Sequence, residues 1–154
     1  MRKKIIYLII SIIIILFLVL ACSHKSAISS DKFTRITQRY HLKVINATKQ
    51  FSSMEHIKNV SIAESEDYWQ IEFYVFDSYR DALNMFRDNH KELKKYKNTN
   101  QLYSDYHSGR CSNITVISNQ VYMHSSLINN TLLYVSAPVD YQKDVEKVLK
   151  ALKY

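Results

Sequence analysis

One glycine, Gly109, is all that the 154 residues contain, and this scarcity limits both fold and chemistry. Loops that cradle phosphate need several glycines where backbone comes close to the ligand. Nucleotide binding of the P-loop or dinucleotide-fold kind is therefore excluded. Tight turns must be made by Asn, Asp and Ser, which tolerate left-handed backbone next best. With one Pro and two Cys besides, the chain fits a single domain with no disulfide framework.

The clearest strand signal is 68–76, where Trp69, Ile71, Phe73 and Val75 alternate with Tyr68, Gln70, Glu72 and Tyr74. The second set makes a polar face, which suits either solvent or the floor of a shallow groove for a glycan or peptide. Val60 and Ile62 precede this strand across Ser65-Glu66-Asp67, the pattern of a hairpin. Ser78 and Asp81 then stand at capping-box spacing before an apolar stripe of Tyr79, Ala82, Leu83, Phe86 and Leu93. Later residues repeat the plan, with strands over 114–118, 121–126 and 131–137, a turn at Asn129-Asn130, and a stop at Pro138. Asp140 is expected to cap a last helix carrying Tyr141, Val145, Val148, Leu149 and Leu152 on one face. Ahead of all this, a helix over 31–41 capped by Ser30 or Asp31, and a short strand over 42–47, are expected.

These elements predict an α+β domain over 31–154, an antiparallel sheet with helices packed on one face. Two hairpin-helix units can be overlaid, with Val60, Ile62, Ile71 and Phe73 on Val121, Met123, Leu132 and Tyr134. Chance likeness between two amphipathic units is the competing account.

At the N-terminus, Arg2, Lys3 and Lys4 precede an apolar run from Ile5 to Ala21 interrupted only by Tyr7 and Ser11. That is the charged and apolar order of an export signal. The run ends Val19-Leu20-Ala21-Cys22, which resembles the bacterial lipobox; Leu20 is bulkier than the commonest occupant of its position. The resemblance implies a signal peptide over 1–21 and lipidation of Cys22, followed by a polar tether over 22–30. Fully extended, Ser23 to Ser30 would reach at most about 28 Å, so the domain would sit close to the membrane. An uncleaved signal anchor is the other reading of the same run. Without the three signal cations the chain has 18 Lys plus Arg against 14 Asp plus Glu, a net of +4. That is too mild for nucleic-acid binding, which shows a concentrated basic face. The runs at 68–77 and 130–135, followed by the Lys-rich terminal helix, resemble small uncharacterised lipoproteins of low-GC Gram-positive bacteria over most of residues 31–154. This likeness implies a fold and an envelope location, and it carries no functional residue.

None of the six histidines, His24, His41, His56, His90, His107 and His124, has a second ligand at zinc-site spacing, so neither a metal nor a cofactor is expected. His90, between Phe86 and Leu93, reads as a core-edge residue. The segment 97–113 is read as a long polar connection, and such connections in compact domains tend to be functional or disordered. It brings Tyr103, Asp105, Tyr106, His107 and Arg110 together as candidate binding residues, Tyr and Arg being the types enriched in recognition hot spots. His107 and Cys111 also suggest a base beside a thiol nucleophile. The expectation is a lipid-anchored, non-enzymatic module on the extracytoplasmic face of the cell membrane. Its partners would be membrane lipid through Cys22 and an envelope protein or cell-wall ligand. A small hydrolase or thiol enzyme using 97–113, and an accessory subunit of a membrane assembly, are the alternatives.

Overall fold

A computed structural model describes residues 26–67, 69–97 and 102–154. The signal over 1–21, Cys22 and the first residues of the tether lie outside them, as does Tyr68. Helix α1 (Ser30–Gln38) is capped by Ser29, whose hydroxyl accepts from the Lys32 amide, one residue before the expected cap. It leads to β1 (Lys43–Asn46), a 3-10 turn at Thr48–Phe51, and the hairpin of β2 (Ile57–Glu64) and β3 (Gln70–Phe76). Helix α2 (Tyr79–Lys94) follows, capped by Ser78 as its capping-box spacing predicts. A four-stranded meander, β4 (Leu102–Ser108), β5 (Cys111–Ser118), β6 (Val121–Ile128) and β7 (Thr131–Pro138), precedes α3 (Gln142–Leu152). Asp140 is not the cap of α3: it lies in a 3-10 turn at Val139–Tyr141, and Tyr141 occupies the cap position with no side-chain bond.

All seven strands form one antiparallel sheet in the order β1-β2-β3-β7-β6-β5-β4. The α+β class and the antiparallel sheet are as the sequence predicts. Alternation along β3 and β7 feeds two cores. On one face Ile71, Phe73, Leu133 and Val135 pack with Phe33 of α1 and with Val145, Val148 and Leu152 of α3. On the other, Tyr74, Phe76 and Leu132 pack with Ala82, Phe86 and Leu93 of α2. The helices thus do not all pack on one face as expected: α1 and α3 share one, and α2 covers the other because its apolar stripe meets the side of β3 that carries Tyr74 and Phe76.

The hairpin-then-helix order occurs twice, but the residue overlay does not hold. Val60 pairs with Tyr74, whereas Val121 pairs with Pro138, three positions beyond the overlay's counterpart of Tyr74. An odd offset exchanges the two faces of a strand. Accordingly α2 packs on the face that carries Val60, and α3 on the face opposite Met123. The polar face of β3 is also no open floor. Tyr74 is buried against Phe51 edge-on and donates to Glu72, which Gln70 also holds at 2.8 Å. The tether ends earlier than expected, since Ile28 is buried in the first core and Ser30 donates to Asn59 at 2.8 Å.

Phe73 is fully buried, stacked on Phe33 at 4.8 Å between ring centres and edge-on to Tyr154 at 6.1 Å. Phe73→Ala should remove about 3–5 kcal/mol, a large part of a total of about 5–15. Val75→Ala, on the same strand but half-buried, should cost less. Urea midpoints of the two variants will show whether this order holds.

Candidate functional site

The segment expected to be a long loop is mostly strand. Residues 102–108 form β4 and pair with β5 without a register break, from Leu102 opposite Ile117 to Ser108 opposite Cys111. The strand escapes the apolar-alternation signal because it is the sheet's last strand and most of its side chains stay exposed. Gly109 and Arg110 make the two-residue turn, with Gly109 at φ +56°, the conformation that glycine takes at no steric cost.

Strand alternation sorts the candidate residues. Tyr103, Asp105 and His107 point toward α2, whereas Leu102, Ser104 and Tyr106 belong to the other face. Across from the first set, α2 presents Tyr79, Leu83, Phe86, Arg87 and His90, spaced three and four apart along one stripe. The two walls enclose a cleft of about 480 Å³ that also reaches Tyr106 and Ser112. Asn89 of α2 reaches Ser125 of β6 at 3.4 Å and fixes the helix over the sheet.

Asp105 joins the walls. Its carboxylate meets His90 Nε2 at 2.9 Å and accepts from the Tyr103 hydroxyl at 3.0 Å. Burial alone would raise this carboxyl; the two hydrogen bonds, with the attraction of His90 and Lys94, outweigh it and hold the group below its ordinary range. Burial, and then the bond to Asp105, raise the Tyr103 phenol. Lys97 lies over the Tyr103 ring at 5.6 Å and Arg110 over the Tyr79 ring at 5.3 Å. Four fixed cations, Arg87, Lys94, Lys97 and Arg110, therefore stand in or beside the cleft, where the lining carboxylate is Asp105.

The thiol-and-base arrangement is not formed. Cys111 sits opposite Ser108 on one face of the hairpin, and His107 points to the other, where its Nδ1 is bonded to the buried Ser112. Neighbouring strand positions project to opposite sides, and the pairing of Ser108 with Cys111 fixes that separation. Among the described residues, no group of three or more His, Cys, Asp or Glu side chains is placed to hold a metal ion. None of the described helices is long and apolar enough to cross a membrane.

All five candidate residues thus lie on one hairpin. Asp105, Tyr106 and His107 line the cleft, while Tyr103 and Arg110 brace it through Asp105 and Tyr79. The helical wall was readable only as core, since Tyr79, Leu83 and Phe86 belong to an ordinary apolar stripe. Arg87 and His90 at the margin of that stripe were the available signal. No protein-family model, curated protein or solved structure matches this chain.

A group whose folded pKa is lowered adds stability that is present above its unfolded value, about 3.9 for Asp, and is lost as pH falls through the folded value. Asp105→Asn should therefore destabilise the protein at neutral pH. The difference from the parent should vanish in acid, below both values. With 36% of the Asp105 side chain exposed, the effect should not exceed about 1 kcal/mol. Urea midpoints across an acid-to-neutral pH series will test both the size and the direction.

Proposed function

We propose that the chain is a lipid-anchored, extracytoplasmic binding module, held in the cell membrane through Cys22, whose cleft between α2 and the β4–β5 hairpin takes a polar, anionic group of an envelope protein or cell-wall ligand. The observation that carries the binding part is the convergence of hairpin and helix on one cleft with an excess of fixed cations. Tyr79 and Phe86 supply contact area that costs little side-chain entropy, and Arg87 supplies a planar donor for carboxylate or phosphate oxygens. The anchoring part rests on the Arg-Lys-Lys start, the apolar run and the Val19–Cys22 ending. Two or more acyl chains hold a protein stably where one does not. A thiol-enzyme role for Cys111 finds no support in the geometry, since His107 is turned to the other face.

Capture from detergent-solubilised native membranes tests both parts. Tyr79→Ala or Arg87→Ala should weaken capture about tenfold or more, the loss expected of a recognition hot spot. Cys111→Ser should leave it unchanged. Added salt should weaken it further, because an attraction between exposed charges is screened. Binding that survives both cleft substitutions would reject the cleft. Cys22→Ser should abolish metabolic labelling with a fatty acid, and undiminished labelling would reject the lipobox reading.

A further inference from the structure

The two ends of the sheet are unlike. At one end β1 is four residues long, begins with Lys43 and borders β2, whose pairing with β3 carries a bulge at Ile57/Asn59. A short strand, an edge lysine and a nearby bulge are devices that keep a sheet from extending. At the other end β4 runs seven residues in unbroken register and contains no Lys, Arg or Pro. Its single charge, Asp105, is drawn under α2 by His90. Every second residue of an end strand turns its amide and carbonyl away from the sheet. Leu102 and Tyr106 of this strand are 43% and 52% exposed, Tyr106 also bordering the cleft. Long, free of bulges and partly apolar, β4 has the properties of a strand that accepts another.

We propose that β4 pairs antiparallel with β4 of a second copy of this chain, centred on Ser104, to make one continuous sheet of two domains. Residues that face each other across such a pair must point to the same side, so the two-fold axis is normal to the sheet and passes through a residue position. Centring on Ser104 sets Leu102 against the partner's Tyr106 and Tyr103 against the partner's Asp105. The exposed apolar side chains then cover each other, and each phenol meets a carboxylate. Centring on Asp105 would instead oppose two carboxylates, which destabilises a strand pair. Centring on Tyr106 would leave Leu102 opposite Arg110. Self-complementarity of Leu-Tyr-Ser-Asp-Tyr about its middle residue is what selects a second copy over another strand.

Such an axis also leaves α1 of both copies on the same side of the joined sheet, so both chain starts leave from one surface. The pairing needs no ligand in the cleft. It is small beside the roughly 1,200–2,000 Å² that a free-standing interface buries. It should therefore be sought in the full chain at the density found in producing cells.

Cysteine cross-linking reads the register. In a Cys111→Ser background, Ser104→Cys should give a covalent dimer under mild copper-phenanthroline oxidation, because directly opposed strand positions place Cβ atoms about 4.5–5.5 Å apart, within small adjustment of disulfide geometry. The yield should exceed several-fold that of Lys43→Cys at the other edge and of Asp105→Cys or Tyr106→Cys. Adding Leu102→Glu should lower it several-fold. A yield no higher than at Lys43, a maximum at 105 or 106, or indifference to Leu102→Glu would overturn the proposal.

Discussion

The pairing of β3 with β7 holds this molecule together. It joins Gln70–Val75 to Thr131–Ser136, residues far apart in sequence, and it converts a three-stranded piece and a four-stranded meander into one sheet. Both strands are buried on both faces over their central residues, with Phe73 beside Leu133 on one side and Tyr74 beside Leu132 on the other. Contacts of such separation are slow to form because loop closure costs entropy before any burial is gained. Once formed, they fix where everything else must go. The chain leaves β3 near the middle of the sheet and returns at its far edge, so α2 has to cross β7, β6 and β5 to deliver β4. The stripe from Tyr79 to His90 then faces the β4–β5 hairpin, and the cleft is the space left between them.

Turn chemistry follows from the single glycine. Left-handed backbone costs an ordinary L-residue roughly 1–2 kcal/mol, and among the described residues six other than glycine adopt it: His41, His56, Asn119, Gln120, Asn129 and Lys153. Asn119 and Asn129 stand in the turns of the β5–β6 and β6–β7 hairpins, where the asparagine side chain lowers that cost. Gln120 and the two histidines have no such local excuse, and the tertiary structure must hold them. The glycine itself is kept for the hairpin that carries Tyr103, Asp105 and His107. A Cβ there would meet nothing within 4 Å, so its backbone conformation, not space, is the reason for glycine at that position.

What could be read from the sequence depended on how much each element buries. β3, β6 and β7 bury one or both faces and were found by their alternation, and α2 was found by its cap and stripe. β4 buries little, so its pattern of polar and aromatic residues looked like a loop. The same ambiguity hid Ile28, a lone apolar residue in a serine-rich stretch that turns out to complete the core under α1. Hairpin register was beyond the sequence altogether, because Val60 and Val121 sit in similar local patterns while their partners differ by three positions. At the cleft, residue types point to the hairpin that forms one wall, but the separation of His107 from Cys111 requires the strand pairing to be known.

β4 has two proposed roles that its sequence must satisfy together. Its α2-facing side chains hold the cleft through Asp105 and His90, which consumes the strand's only charge. An edge strand normally keeps a charge exposed to prevent pairing, and here the contact with His90 turns it toward α2. Cleft and open edge are therefore consequences of one contact. Loss of His90 would free the carboxylate, loosening the wall of the cleft and unsettling the side chain that the proposed pairing sets against the partner's Tyr103. The proposed binding site and the proposed self-association in this way share a single 2.9 Å interaction.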